Sequence, residues 1–367
     1  MAADAAAIER VGARAYTVPT DAPEADGTIA WSETTLVLVE AVAGGRTGLG
    51  YSYTHATAAG LIERVLVPIV SGGDAFAVPR HWEAMVRVVR NIGWRGLAAT
   101  AISAVDGALW DLKARLLDVP LASLLGKARD AVPIYGSGGF TTYSDERLEE
   151  QLGGWARDLG CRWVKMKIGS EPSRDLDRAQ VALAAIAGTG AELMVDANGA
   201  LTRKQALWFA ERFAGMGVTW FEEPVSSDDL EGLRLLRDQG PAGLEIAAGE
   251  YGYDPFYFRR MLEAGAVDVL QADATRCGGI TGFLKAAALA DAHGLPLSAH
   301  TAPAFHLAVC CTAPRLRHIE WFHDHARIEA MLFDGAPEPK GGLIRPDLGR
   351  PGNGLAFKRA DAERFAA

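Results

Sequence analysis

Seven ionisable residues stand out because each follows a short apolar run and because they recur at similar intervals: Lys167, Asp196, Glu222, Glu250, Asp273, His300 and Glu320. Neighbours in this series are 20 to 29 residues apart, the length of one strand plus one helix. Asp196, Glu222 and Glu250 offer only oxygen, which suits a hard cation that keeps some water, Mg²⁺ rather than zinc. Three carboxylates crowded together without a cation would repel, and one would take up a proton. Lys165 and Lys167 are two of only 8 lysines in the chain, and at i and i+2 of a strand they share one face. Two inward ammonium groups should each lower the other's pKa, which is how a lysine becomes a base near neutral pH. Asp273 closes VDVLQAD and His300 closes LPLSAH on the next run. A carboxylate beside an imidazole fixes its tautomer and raises its proton affinity, the arrangement of a general acid/base.

Residues this far apart need a scaffold that returns them to one place. The apolar runs Val132–Tyr135, Trp163–Ile168, Glu192–Val195, Val218–Phe221, Leu244–Ala247, Val267–Leu270, Leu295–Ser298 and Leu316–Ile319 alternate with amphipathic helical stretches. One such stretch carries Leu148, Leu152, Trp155 and Leu159; another starts at Asp254-Pro255, a good N-cap and first-turn pair. Eight strand–helix couplets predict an α/β fold of the (β/α)₈ barrel type, in which strand C-termini converge on one mouth. An acid after a strand is often only the cap of the next helix, but that would leave a scatter of Ser, Thr, Asn and Asp rather than this order.

Before the barrel, Thr34–Val42 and Arg46–Thr54 read as an antiparallel hairpin, and Ala58–Val70, Pro79–Arg90 and Leu97–Leu117 as helices. We therefore expect an α+β capping domain over 1–126, a barrel over 127–340, and a Gly- and Pro-rich segment over 341–367 that returns to complete the cap. The glycine patterns GGRTGLG and YGSGGF lack the strand-to-helix context of a nucleotide fingerprint and read as turns. His323-Asp324-His325 reads first as a solvated loop and second as a substrate contact.

Composition narrows the function. A net charge of -9 without a basic run argues against nucleic acid or an anionic membrane as partner. No stretch is apolar enough to span a bilayer, and Asp4, Glu9 and Arg10 break up the opening segment, so a cytoplasmic protein without a leader is expected. Cys161, Cys277, Cys310 and Cys311 have no CxxC spacing and encode neither a disulfide framework nor a zinc ribbon.

Taken together, VKMKIG (Lys165, Lys167), VDAN (Asp196), FEEP (Glu222), GE (Glu250), ADATRCGGITG (Asp273), SAH (His300) and HIE (Glu320) resemble the enolase superfamily, and within it the mandelate racemase subgroup. The resemblance spans essentially the whole chain, including AISAVDGALWDLKARLLDVPLASLLG, which is similar to the last helix of the family's capping domain. It implies a Mg²⁺-dependent enzyme that abstracts a proton α to a carboxylate and stabilises the enediolate. It further implies that Lys167 and the Asp273–His300 dyad are bases on opposite faces of the substrate. Lys165 and a protonated Glu320 would then assist at the carboxylate. Relatives that cyclise muconate or epimerise dipeptides carry a lysine on the sixth strand; here none lies between Lys204 and Lys285.

Opposed bases leave two outcomes open, epimerisation by reprotonation or dehydration by loss of a β-hydroxyl. The resemblance favours a lyase that dehydrates an acid sugar to a 2-keto-3-deoxy acid, with an isomerase (racemase or epimerase) as the alternative. A catalytically silent barrel that binds its ligand is the reading from another class. The partner expected is a small carboxylate, and the chain is expected to form a homo-oligomer. By resemblance the pocket rim comes from Thr20–Trp31 and Tyr51–Thr57, where Asp21, Glu24, Asp26, Tyr51, Tyr53 and His55 could bond hydroxyls. Asn198, Ser137, Tyr53, His55 and Arg276 are the expected substrate contacts, although Arg276 could equally be a solvated residue at a helix start.

Overall fold

The structure, a computed structural model, describes residues 6–367. Most of the opening segment 1–7, and with it the expectation that no leader is present, lies outside the described residues. The cap is built on an antiparallel sheet of β1 (Arg10–Ala25), β2 (Ala30–Ala43) and β3 (Arg46–Tyr53), in that order. Patterning predicts only the β2–β3 hairpin, so β1 is a correction. RVGARAYTVPTDAPEA lacks clean alternation and contains two prolines. An edge strand tolerates both, since it needs only one ladder, and its register shifts between Pro19 and Glu24.

Three helical segments cover the sheet: 57–70 with a π-helical middle at Ile62–Leu66, then Val78–Val88 and Leu97–Leu116. The last is buried on nearly every face. Its run of alanines lets it lie between the cap sheet and the barrel helix Gly279–Ala292, where Asp106 accepts from Thr281 N at 2.9 Å and from its Oγ1 at 2.6 Å.

The barrel strands are β4 (Val132–Gly138), β5 (Trp163–Lys167), β6 (Glu192–Asp196), β7 (Trp220–Glu222), β8 (Glu245–Ala248), β9 (Val269–Ala272), β10 (Leu297–Ala299) and β11 (Leu316–Phe322). They pair in parallel in chain order, and β11 pairs with β4 to close the barrel. Helices follow the strands, several with the caps their sequences encode, including a capping box at Thr202 and Gln205 and Asp254 bonded to Tyr257 N. Tyr135, Met194, Trp220, Ala247 and Val269 fill part of the barrel interior, with Trp163 packed against them.

The chain beyond Gly341 touches both barrel and cap. Leu343–Ile344 adds an antiparallel pairing to β4, and the Phe357 ring lies 5.2 Å from that of Tyr16. Ala367 N then donates to Ala15 O at 3.1 Å. No described helix is long and apolar enough to cross a membrane.

Candidate active site

Strand register explains why the distant residues meet. Lys167 is directly opposite Asp196, and Asp196 opposite Glu222, so three strand ends place their side chains at one level. Glu250 lies two residues past β8. The turn before it passes through Gly249, with φ of 134°, where an added Cβ would stand 2.1 Å from Gln271 O. Only glycine fits there. Asp273 and His300 directly follow β9 and β10, and Glu320 lies within β11.

One ligand oxygen from each of Asp196, Glu222 and Glu250 lies within 4.8 Å of the others, and all three residues are buried. Glu222 Oε2 is fixed by Trp220 Nε1 at 2.9 Å, whereas Glu250 Oε2 has no aligned hydrogen-bond donor. Burial, reinforced by the Asp196 charge, pushes the Glu222 carboxyl up to about 8. A compact, oxygen-only, electron-rich cradle with an unbonded buried oxygen fits a hard divalent cation.

The lysines correct one expectation. Lys165 Nζ donates to Glu222, lies 2.9 Å from Glu320 Oε1 and 3.3 Å from Asp196 Oδ2. Lys167 Nζ donates to Asp196 Oδ2 at 2.5 Å. Burial opposes their charge, but the surrounding carboxylates outweigh it and hold both ammonium groups above the ordinary lysine range. The mutual repulsion expected from their spacing is the smaller effect. Glu320 corrects another: although burial favours its protonated form, Lys165 and His300 bring it down to about 2, so it is a carboxylate here. Its Oε1 accepts from Ser137 Oγ at 2.5 Å and its Oε2 from Thr301 N at 3.0 Å.

On the other side of the carboxylates, His300 Nδ1 lies 2.8 Å from Asp273 Oδ2, and its Nε2 lies 3.2 Å from Glu250 Oε2. Thr275 donates to Asp273 Oδ1 through both N and Oγ1 at 2.7 Å. Burial opposes a charged imidazole, yet Glu250 and Glu320 raise His300 to about 9. Burial likewise opposes the Asp273 carboxylate, but the bond from His300 and its charge hold it below the usual range.

Arg276, partly exposed, reaches the site, with its guanidinium 3.3 Å from Glu250 Oε1 and 3.5 Å from Asp273 Oδ2. Asn198 N bonds Asp196 Oδ1, and its own side-chain oxygen is buried and unbonded. Tyr53 stacks on His325 with ring centroids 3.4 Å apart. His55 is not brought in: it is exposed and bonds Thr57 locally, at the start of the first helical segment. His325 also departs from the solvated-loop reading, because His323–Leu332 is a helix whose first turn buries it. At the rim, His323 Nε2 lies 2.9 Å from Asp21 Oδ2, and Trp31 Nε1 donates to buried Glu24 at 2.7 Å. Burial, then the neighbouring Asp324, push Glu24 up to about 8. Gly27 holds the rim close to the barrel, since a Cβ there would be 2.6 Å from both Ile168 O and Ala197 O.

Three residues escape sequence reasoning. Glu223 is a buried fourth carboxylate with an unbonded oxygen; burial and Glu250 hold its pKa high. Its presence in FEEP was the available signal. Trp220 and His306 act through contacts that spacing does not reveal. Among the described residues only Asp118, Asn198, Glu223, Thr301 and Ala302 are non-glycine residues with positive φ, and the last four adjoin the mouth residues. Strain of this kind persists only where surroundings over-determine it.

Two family profiles match the chain: the mandelate racemase / muconate lactonizing enzyme N-terminal domain over 12–126 and the enolase C-terminal domain-like family over 147–362. The chain is 33% identical over 366 residues to a 3,6-anhydro-alpha-L-galactonate cycloisomerase of Streptomyces coelicolor, covering 98% of each protein. Among solved structures, a mandelate racemase/muconate lactonizing enzyme-like protein from Rubrobacter xylanophilus superposes with TM-score 0.96 at 53% identity, over 98% of this chain and 100% of that one. L-talarate/galactarate dehydratase from Salmonella typhimurium, liganded with Mg and L-lyxarohydroxamate, superposes with TM-score 0.89 at 28% identity, over 100% of this chain and 95% of that one.

Proposed function

The chain belongs to the mandelate racemase/muconate lactonizing enzyme group of the enolase superfamily, whose chemistry depends on Mg²⁺, and from this we propose that it dehydrates an acid sugar to a 2-keto-3-deoxy acid. The observation that carries the reading is the flanking of three carboxylates by two kinds of proton carrier, Lys165 and Lys167 on one side and the Asp273–His300 pair on the other. Asp196, Glu222 and Glu250 would hold Mg²⁺, which when bound would supply positive charge at the substrate carboxylate and take up carboxylate charge that otherwise keeps Lys167 protonated.

Lys167 then receives the α-proton, and Lys165 faces the negative charge that develops on the substrate carboxylate. Asp273 fixes the tautomer of His300 and directs Nε2 at the reacting centre. His300, paired with Asp273 through Nδ1, carries on Nε2 the proton that it donates to a departing β-hydroxyl. An epimerase would instead need it neutral for one of its two directions. Glu320, fixed by Ser137 and Thr301 N between Lys165 and His300, orients both. Arg276, Asn198 and Tyr53 line the substrate's approach. Unbonded buried oxygens on Glu24, Asn198, Glu223 and Asp324 suit hydroxyl-rich substrates better than an aryl group.

A second reading has a specific observation behind it, the end-to-end match to a cycloisomerase. When the leaving oxygen is tethered in a ring, the same elimination opens the ring and the net result is isomerisation. The test is a panel of aldonic, aldaric and anhydro-sugar acids with Mg²⁺, assayed for a 2-keto product in deuterated water. Dehydration predicts keto product with loss of water, and His300→Asn should then exchange the α-hydrogen without forming it. Epimers alone across the whole panel would overturn the proposal, and no α-hydrogen exchange at all would point to the silent binding protein.

A further inference from the structure

We infer that His306 is a positioning residue that sets the geometry of the Asp273–His300 pair, an inference that rests on the acid/base roles proposed above. His306 is completely buried in the first turn of the helix Pro303–Cys310. Its Nδ1 lies 3.0 Å from Ala302 O. A carbonyl can only accept, so the ring proton is on Nδ1. Nε2 is then a bare acceptor, and Ala274 N donates to it at 2.7 Å. One imidazole therefore joins the residue after Asp273 to the residue two after His300. The rings of Phe283 and Phe305, with centroids 5.5 and 6.2 Å away, pack around it.

The join comes where strand pairing has ended. β9 and β10 are in register only through Ala272 and Ala299, and past them the backbone adds His300 N to Ala272 O at 3.0 Å. Thr301 and Ala302 follow with φ of 51° and 41°. Two successive non-glycine residues in the left-handed region hold backbone strain and would relax if released. Glu320 holds Thr301 N, His325 Nδ1 lies 3.4 Å from Ala302 N, and the His306 imidazole adds a second bond to the Ala302 carbonyl, which also accepts from His306 N at 3.1 Å. Of these three, only His306 also reaches the Asp273 loop. Relaxation at 301–302 would swing the adjacent His300 away from Asp273. His306 Nε2 is 3.7 Å from Asp273 Oδ1, two acceptors without a bond between them, so the ring acts on the pair through the backbone.

A merely structural histidine would behave differently, since losing it would weaken the whole mouth. If His306 positions His300, His306→Leu in the Mg²⁺-loaded enzyme should slow the His300-dependent step about 100-fold, the scale of a misplacement near 1 Å. Lys167-dependent α-hydrogen exchange and KM should stay within about threefold by the same argument, because the lysine side is untouched. His306→Gln, which keeps one donor and one acceptor, should recover part of the loss and serves if the leucine variant does not fold. Equal loss in both routes, or none in either, would overturn the inference. A substrate-independent arm separates it from failure of the proposed reaction: ¹⁵N-histidine NMR of the wild type should show His306 protonated at Nδ1, and His306→Gln should shift the ring nitrogens of His300. An Nε2-protonated His306, or an unmoved His300, would sink it whatever the enzyme's substrate.

Discussion

Buried acids at the seam between cap, barrel and tail are kept differently from those at the barrel mouth. In the seam, Asp111 accepts from Leu49 N at 2.7 Å, Asn353 N at 2.6 Å and Arg115 Nε at 2.7 Å. Glu329 accepts from Tyr51 Oη at 2.5 Å and Ala304 N at 2.9 Å. Most of these donors are backbone amides, fixed by secondary structure and unable to leave. At the mouth, Asp196, Glu222 and Glu320 share the ammonium group of Lys165, Glu250 Oε2 has only the His300 imidazole 3.2 Å away, and one oxygen of Glu223 is unbonded. Leaving a buried acceptor unmatched costs about 1–3 kcal/mol, more when it is charged. A chain that satisfies its acids so fully in one region has the means to do so, and the mouth is instead organised around partners that can let go. The seam acids are matched as stability requires, and the mouth acids are arranged as the proposed chemistry requires.

The largest effect that would break this contrast is in the mouth. Glu222→Gln should lower activity by well over 100-fold, because removing even an outer-shell partner of a metal site costs about 10–100-fold. The same variant should unfold no more easily than wild type without metal, since burial already pushes the metal-free Glu222 carboxyl up to about 8 and glutamine is its neutral isostere. Calorimetric melting with chelator and a Mg²⁺ titration of turnover check both halves. Lowered stability together with intact turnover would invert the contrast.

Next in size is the seam. Asp111→Ala leaves Arg115 and two backbone amides without their acceptor in a site that excludes water, and should cost about 3–5 kcal/mol, the range for breaking a buried pair. Urea unfolding measures it. Turnover of the folded fraction should stay within a few-fold of wild type, whereas a selective loss of kcat at unchanged stability would move Asp111 out of the stability set.

The mouth was more legible than the seam, and the reason is physical. Barrel strands announce themselves as apolar runs, and their last residues are forced to one level by parallel register, as Lys167, Asp196 and Glu222 show. Local patterning therefore carries the site. The electrostatics were not local: spacing makes Lys165 and Lys167 look mutually depressed, yet three carboxylates from other strands decide the sign. Nor was β1 legible, because an edge strand broken by Pro19 and Pro23 need not alternate. His306 and Asp111 bond to backbone groups brought close only by the finished fold, and no motif records such a contact.

The smallest effect sharpens the seam half, through pH. A glutamic acid ordinarily titrates near about 4.3, but burial pushes Glu329 up to about 8 despite its bonds from Tyr51 and Ala304. Between those values the folded chain keeps a proton that the unfolded chain gives up. More protons bound in the folded state means that stability falls as pH rises through the window and levels off above about 8. Burial raises Asp106 to about 7, which adds a fall of the same sign. The slope from one such group is at most about 1.4 kcal/mol per pH unit. Glu329→Gln removes one group while keeping its contacts, because the amide carbonyl can accept from Ala304 N and its NH₂ can donate to Tyr51 Oη. Urea unfolding at pH 5, 6.5 and 8 should therefore show wild type losing stability more steeply than the variant, with the two closest, or the variant ahead, at pH 8. Parallel curves would mean that Glu329 is ionised in the folded chain and that its two donors alone satisfy a buried charge, which would make the seam even more completely matched than its geometry shows.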